Sequence, residues 1–389
     1  MKKSFWLQLL NYFLVALLTG VLTAAGILFM MPESVGKVSK LEQLQALIEE
    51  RFIGEADMTE AEDAAARAMI EALGDRWSYY ISAEEYQSYY EQQQNAYVGI
   101  GVTVSTEDTS AGMEILQITA GGPAEKAGLL AGDVITGVDG QSILGMNAND
   151  TSAMIKGEEG TQVVLTVRRG EQSLQITVKR ERIKTPVATA TLLEDGIGLI
   201  KIANFNTNCY NETAAAIRQL KEEGATKLIF DVRFNGGGYA SELVKVLDDL
   251  LPEVELFHTV DYKGNESIDM SDAEFLDMPM AVLVNGSSYS AAEFFAAALQ
   301  EYDAAVVVGE KTTGKGYFQT VIRLNDGSAV GLSVGKYFTP SGISLEGIGI
   351  TPDKIVTVDD ETAAGIYSGT IDPKDDNQLQ AAIAALKEK

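Results

Sequence analysis

Cysteine, histidine and proline are scarce in this 389-residue chain, and each scarcity excludes something. One cysteine, Cys209, rules out an intramolecular disulfide and a cysteine-rich metal site. It reads as a small apolar filler. One histidine, His258, stands in the strand-like run LFHTV, away from any serine-rich turn. A hydrolase built on this chain therefore needs a base other than histidine. Cations are also short: 30 Lys and Arg face 56 Asp and Glu, a formal net charge of −26. Phosphate contacts need clustered Lys and Arg, so nucleic acid is not an expected partner. With 46% hydrophobic residues, 37 glycines and only 8 prolines, the chain is foldable and long enough for two or three domains. Neither a metal nor a cofactor is expected.

What is present begins with an uncharged run, Phe5–Met31, long enough to span a bilayer. Lys2 and Lys3 precede it and place the N-terminus in the cytoplasm. Ala24-Ala25-Gly26 is a poor cleavage site, so residues 1–31 are expected to be a cytoplasmic stub and an uncleaved transmembrane anchor. The expected location is the cell membrane, single-pass, with the body extracytoplasmic. Residues 32–95 read as a helical segment, because LEQLQALIEERF and AEDAAARAMIEALGDRW carry apolar residues at three- and four-residue spacing. Asp57 or Thr59 is a suitable cap for the second helix. The tyrosine-rich stretch RWSYYISAEEYQSYY reads as a packed helical hairpin.

From 96 to 182 the texture changes to short strands and glycine turns, with helical pieces at Pro123–Ala127 and Asn149–Ile155. Three features carry a resemblance to the PDZ domains of bacterial envelope proteases. They are Tyr97-Val98-Gly99-Ile100-Gly101, the run Gly122-Pro123-Ala124-Glu125-Lys126-Ala127-Gly128-Leu129, and Gly132-Asp133-Val134-Ile135 with Asp139-Gly140. The resemblance implies that Val98, Gly99, Ile100 and Gly101 hold a peptide's terminal carboxylate while the peptide adds as a strand.

Residues 183–358 alternate strands and helices, which predicts an α/β core with a mostly parallel sheet and its site at the C-terminal strand ends. Two such ends stand out, DVRFNGGG and NGSSYS. A helical tail, 359–389, follows. The turn NGSSYS offers Ser287, Ser288 and Ser290 ahead of the helical run Ala291–Glu301. Beyond the next strand comes Lys315 between two glycines, and then Gln319. A serine hydroxyl needs a base within reach, and lysine serves only when neutral, its pKa brought from ~10.4 toward about 7–8 by burial. Gln319 is placed to orient that lysine. Gly236-Gly237-Gly238 can expose a backbone N–H to an oxyanion, and the Ala291 N–H at a helix start is a second donor. GEKTTGKG imitates a phosphate-binding loop, but glycine replaces the magnesium-binding hydroxyl and a strand-like run follows instead of a helix.

Taken together, the chain resembles the carboxy-terminal processing peptidases, exported or membrane-anchored serine proteases with an embedded PDZ domain. The resemblance runs from about Gly74 to Leu386. It rests on Gly74-Asp75-Arg76-Trp77-Ser78-Tyr79-Tyr80, the PDZ features, Asp231-Val232-Arg233 with the glycines, Val284 through Glu293, Gly309 through Gln319, and Gly347-Ile348-Gly349-Ile350-Thr351-Pro352-Asp353. It implies Ser290 as nucleophile, Lys315 as base, Gln319 as its support, and Gly237 and Ala291 as oxyanion donors. It also implies protein or peptide substrates captured by their C-termini. Arg76-Trp77, Tyr289, Ala292 and Lys156 depart from the family's usual residues. The N-terminal helices and the tail could pair subunits in a homodimer. A catalytically inactive, membrane-tethered PDZ adaptor and an acyl-CoA hydratase-like enzyme are the competing expectations.

Overall fold

The computed structural model describes residues 39–105 and 109–388, together with Val15 and Leu17–Thr19. The expected anchor, Phe5–Met31, otherwise lies outside the described residues. Among those described, no helix is long and apolar enough to cross a membrane.

Residues up to Ala72 and those from Leu73 onward are two compact units. The first holds α1 (Lys40–Arg51) and α2 (Met58–Glu71). Ser39 and Glu42 close a reciprocal capping box on α1, and the Asp57 carboxylate caps α2 by accepting the N–H groups of Thr59 and Glu60.

The second unit opens with β1 (Tyr79–Ile81) and α3 (Ala83–Gln93). The tyrosine-rich stretch is thus a strand followed by a helix, not the helical hairpin expected from sequence. The PDZ region follows as β2 (Ala96–Gly99), β3 (Val102–Val104), β4 (Met113–Ile118), α4 (Pro123–Lys126), β5 (Val134–Val138), β6 (Gln141–Ser142), α5 (Ala148–Ile155), β7 (Gln162–Arg169), β8 (Gln172–Lys179) and β9 (Glu181–Lys184). Its sheet runs β3-β4-β5-β7-β8 around Ile115, Ile135, Leu165 and Val167, all fully buried. β2 and β9 pair antiparallel with each other, bracketing this sheet where the chain enters and leaves it.

The remaining elements are β10 (Ala188–Leu192), β11 (Ile197–Ile202), α6 (Cys209–Glu222), β12 (Lys227–Asp231), α7 (Ala240–Asp248), β13 (Glu255–Asp261), β14 (Glu266–Met270), β15 (Met280–Val284), α8 (Ala291–Glu301), β16 (Ala305–Gly309), β17 (Tyr317–Arg323), β18 (Ala329–Phe338), β19 (Lys354–Ile355), α9 (Asp360–Ser368) and α10 (Asn377–Glu388). They build two sheets, where the sequence suggests one. The first, β10-β11-β12-β15-β16-β19, is mixed: β10 runs antiparallel to β11 and every other pairing is parallel. Its central strand β15, MAVLV, is buried at every position, as a parallel strand covered on both faces must be. The second sheet, β1-β18-β13-β14 with β17 also on β18, is antiparallel throughout. The expectation of a mostly parallel sheet therefore holds for only one of the two. Cys209 is buried and unpaired in the core, as a filler should be. His258 is half-buried and stacks on Phe338 with centroids 4.7 Å apart.

Candidate active site

The parallel strands β12 and β15 end side by side, and the loops beyond them are stitched together. Asn285 Oδ1 accepts the N–H of Phe234 at 3.0 Å and of Ser287 at 3.1 Å. The Tyr289 N–H donates to the Asn235 carbonyl at 3.1 Å. Ser288 is fully buried, and its hydroxyl donates to the Val232 carbonyl at 2.7 Å. That hydroxyl is a structural tie, which removes Ser288 from the nucleophile candidates.

Ser290 sits at the head of α8 with φ 58° and ψ −124°, a region costing about 1–3 kcal/mol for a residue with a Cβ. The contact that holds it there comes from Glu293, one helical turn on. Its carboxylate is fully buried and accepts the Ser290 N–H at 2.9 Å. It also accepts the N–H groups of Gly314 at 2.7 Å and Lys315 at 2.8 Å, and the Thr312 hydroxyl at 2.5 Å. One carboxylate thus joins the serine turn to the lysine loop. Burial pushes the Glu293 carboxyl above its usual range, and the four donors pull it back. The sequence reading uses Glu293 only as a landmark. The S-x-x-E spacing from Ser290 is the signal that marks it as a helix-start partner.

Ser290, Lys315, Gln319 and Gly237 line one solvent-open groove of about 690 Å³. Half of its other lining residues are aromatic, among them Tyr79, Tyr86, Tyr89 and Tyr239. An apolar recess lined by Leu243, Phe257, Phe294 and Tyr337 opens beside Ser290, with a free volume of about 10 Å³, close to one water's worth. Burial pulls the Lys315 ammonium below the ordinary lysine value, while Asp75, Glu346 and Glu293 push it back up. Its Nζ lies over the rings of Trp77 and Tyr289, 5.0 and 5.8 Å from their centroids. Among the described residues no hydrogen bond joins it to Ser290.

The other expected residues are placed as follows. Gln319 Nε2 donates to the Tyr317 carbonyl at 3.1 Å and to Ser333 at 3.0 Å. Gly237 has φ 87°, and a methyl there would meet Ser290 Cβ at 2.8 Å and Ala291 N at 3.0 Å. Glycine is required, and the loop lies against the serine turn. The Gly237 N–H itself donates to Asn235 Oδ1 at 2.8 Å. Ala291 is the first residue of α8, so its N–H has no carbonyl within the helix to bond. Val98 and Gly99 belong to β2 and pair with Arg182 and Glu181. Ile100 and Gly101 form the following turn, their carbonyls accepting from Ala124 and Thr119. The strand they lead into, β3, is the edge of the PDZ sheet.

Ser290 at a helix start, the glycine loop packed against it and the half-buried Lys315 thus share one groove on an α/β scaffold. Residues 196–356 match the family described as Peptidase family S41, and residues 114–169 match a PDZ domain. The carboxy-terminal processing protease CtpA of Bacillus subtilis is 33% identical over 88% of this chain and 76% of its own. A CtpA-like serine protease of Staphylococcus aureus is 32% identical over 88% of this chain and 70% of its own. A solved structure described as an S41 protease, from Bacteroides fragilis, superposes with a TM-score of 0.53 at 14% identity, covering 89% of this chain and 97% of the other. That likeness speaks for the fold alone. The chain belongs to the S41 family of carboxy-terminal processing serine proteases, and it is a serine-type peptidase. The adaptor and hydratase expectations are set aside.

Proposed function

We propose that the protein is a membrane-anchored, extracytoplasmic endopeptidase that captures the C-termini of protein substrates and cuts them with Ser290 and Lys315. The observation that carries this reading is the Glu293 carboxylate, one oxygen of which accepts the N–H of both Ser290 and Lys315 while the two residues line one groove. Neutral Lys315 takes the Ser290 proton as Oγ attacks the scissile carbonyl. The oxyanion is met by the Ala291 N–H, and by the Gly237 N–H once it leaves Asn235. The lysine then returns the proton to the leaving amine, and water hydrolyses the acyl-enzyme. Gln319 supports Lys315 after turning from Ser333. The small recess beside Ser290 favours a small apolar residue on the N-terminal side of the cut bond.

Capture rests on the PDZ region. Its edge strand β3 can accept a peptide as a further strand, with the Val98–Gly101 segment near the terminal carboxylate. The anchor rests on the uncharged run Phe5–Met31 behind Lys2 and Lys3. Amidating the C-terminus of an unstructured substrate tests capture: KM should rise about tenfold with kcat nearly unchanged, as expected for lost uniform binding. Equal cleavage of amidated and free substrate contradicts it. Retention of the full chain in the membrane fraction after alkaline extraction tests the anchor, and release into the soluble fraction contradicts it.

A further inference from the structure

The loop carrying Lys315 is clamped on one side by a segment more than two hundred positions away in sequence and on the other by Glu346, which that segment also contacts. Arg76 Nη2 donates to the Gly314 carbonyl at 2.8 Å. On the other side of the lysine, Glu346 Oε2 accepts the Gly316 N–H at 2.9 Å, and the same carboxylate accepts Trp77 Nε1–H at 3.0 and 3.1 Å. Trp77 is thereby fixed relative to both neighbours of Lys315. Its ring stacks on Tyr289, centroids 6.1 Å apart and planes 25° apart. Tyr289 is held in turn against the glycine loop, since a methyl on Gly236 would meet its hydroxyl oxygen at 2.6 Å. Lys315 Nζ lies over both rings, 5.0 Å from one centroid and 5.8 Å from the other, within the range of cation–π attraction.

We propose that Trp77 and Tyr289 are positioning residues for Lys315: their rings form a shelf that holds its ammonium group, and Lys315 must leave that shelf to take the Ser290 proton. The proposal rests on the Ser290–Lys315 reading above. A ring quadrupole attracts the ammonium and not the neutral amine, so the shelf favours the charged, non-basic form. The charged groups around Lys315 divide. Asp75, Glu346 and Glu293 favour the ammonium, as the rings do, and burial opposes it. The Arg76 guanidinium, 4.1 Å from the Trp77 centroid, competes for the same ring. Tyr289 contributes its ring. Shelf and burial therefore pull the lysine in opposite directions.

Fluorinated tryptophan tests the shelf without changing its bulk, because fluorine withdraws density from the ring face and leaves shape and burial nearly intact. The chain has two tryptophans, Trp6 and Trp77. A Trp6→Phe background makes Trp77 the single label in the full-length, detergent-solubilised protein. The titration of Lys315 is followed by NMR on lysine carrying carbon-13 at Cε, in the Ser290→Ala form, while the active form gives the pH profile of kcat/KM. Across a series from unsubstituted to tetrafluorinated tryptophan, the Lys315 pKa should fall stepwise, by about half a unit to one unit in total. The acid limb of kcat/KM should fall with it, raising cleavage near neutral pH about three- to tenfold. Tyr289→Leu should shift the titration in the same direction, and Tyr289→Phe should leave it in place. A Lys315 titration that stays fixed across the series overturns the shelf. The two readings fail separately. If Lys315→Met abolishes cleavage but fluorination moves nothing, the shelf falls and the dyad stands. If fluorination moves the titration but Lys315→Met cleaves normally, the dyad falls and the ring contact survives only as a structural one.

Discussion

Glu293 Oε2 accepts the backbone N–H of Lys315 at 2.8 Å and that of Ser290, three residues before it, at 2.9 Å. The proposed nucleophile and base are therefore spaced by one buried carboxylate, and disturbing it should damage both geometry and stability. Glu293→Gln turns an acceptor oxygen into a donor facing N–H groups. It should destabilise the protein by about 2–4 kcal/mol, since buried donors are left unmatched, and cut kcat more than KM. Urea unfolding and steady-state kinetics check both parts. The sign of the pH effect also follows. A carboxyl whose folded pKa is raised binds more protons folded than unfolded just above its ordinary value of 4.5. Its contribution to stability therefore falls as pH rises through that window. Glu293→Gln should remove that slope.

Gly237→Ala probes the proposed oxyanion loop. With φ 87° and a Cβ that would lie 2.8 Å from Ser290 Cβ and 3.0 Å from Ala291 N, the loop must retreat from Ser290. Cleavage should fall by about a hundredfold or more while the fold survives, a loss like that of one oxyanion donor. Kinetics with circular dichroism as the fold control would show it. Unchanged kcat would place the oxyanion elsewhere.

The C-terminal helix reaches the site through Arg233. Its buried guanidinium pairs with Asp231 at 2.7 Å and Asp376 at 2.8 Å, and donates to Gln378 at 3.0 Å. Arg233→Leu strands two buried carboxylates beside the glycine loop and should cost about 3–5 kcal/mol. Truncation before Asp376 should also destabilise, by leaving the arginine with one carboxylate. Chemical denaturation of both variants is the check.

As the proposed base, Lys315 should set the pH dependence. Burial, opposed by Asp75, Glu346 and Glu293, leaves its pKa below 10.5. The base is active only when neutral, so kcat/KM should rise with pH through the lowered value and then level off. In that window the unfolded chain binds more protons than the folded one, so the lysine's contribution to stability also rises with pH. A flat profile from neutral to mildly alkaline pH contradicts a titrating lysine.

Much of this was legible in the sequence because it is local. The serine turn follows the uniformly apolar strand MAVLV and precedes a helix, Ala291–Glu301, whose bounds the sequence pattern matches. The strand end DVRFNGGG announces itself through its glycines. The second sheet was not legible as a sheet. Gly331 and Gly335 interrupt β18 because they lie against the rings of Tyr79 and Phe318, where a methyl would come within 2.4 and 2.2 Å. Those glycines erase the alternation that marks a strand. The partners of Lys315 were illegible for another reason. Trp77, Glu293 and Glu346 meet it only through tertiary structure, and no spacing along the chain records that meeting.

Cleavage of an unstructured protein with a free C-terminus by the full-length chain, compared with its Ser290→Ala form, tests the central claim most directly. The account predicts that the variant folds, still binds the substrate's C-terminus, and loses cleavage by several orders of magnitude, as removal of a nucleophile does. Full cleavage by folded Ser290→Ala would contradict it.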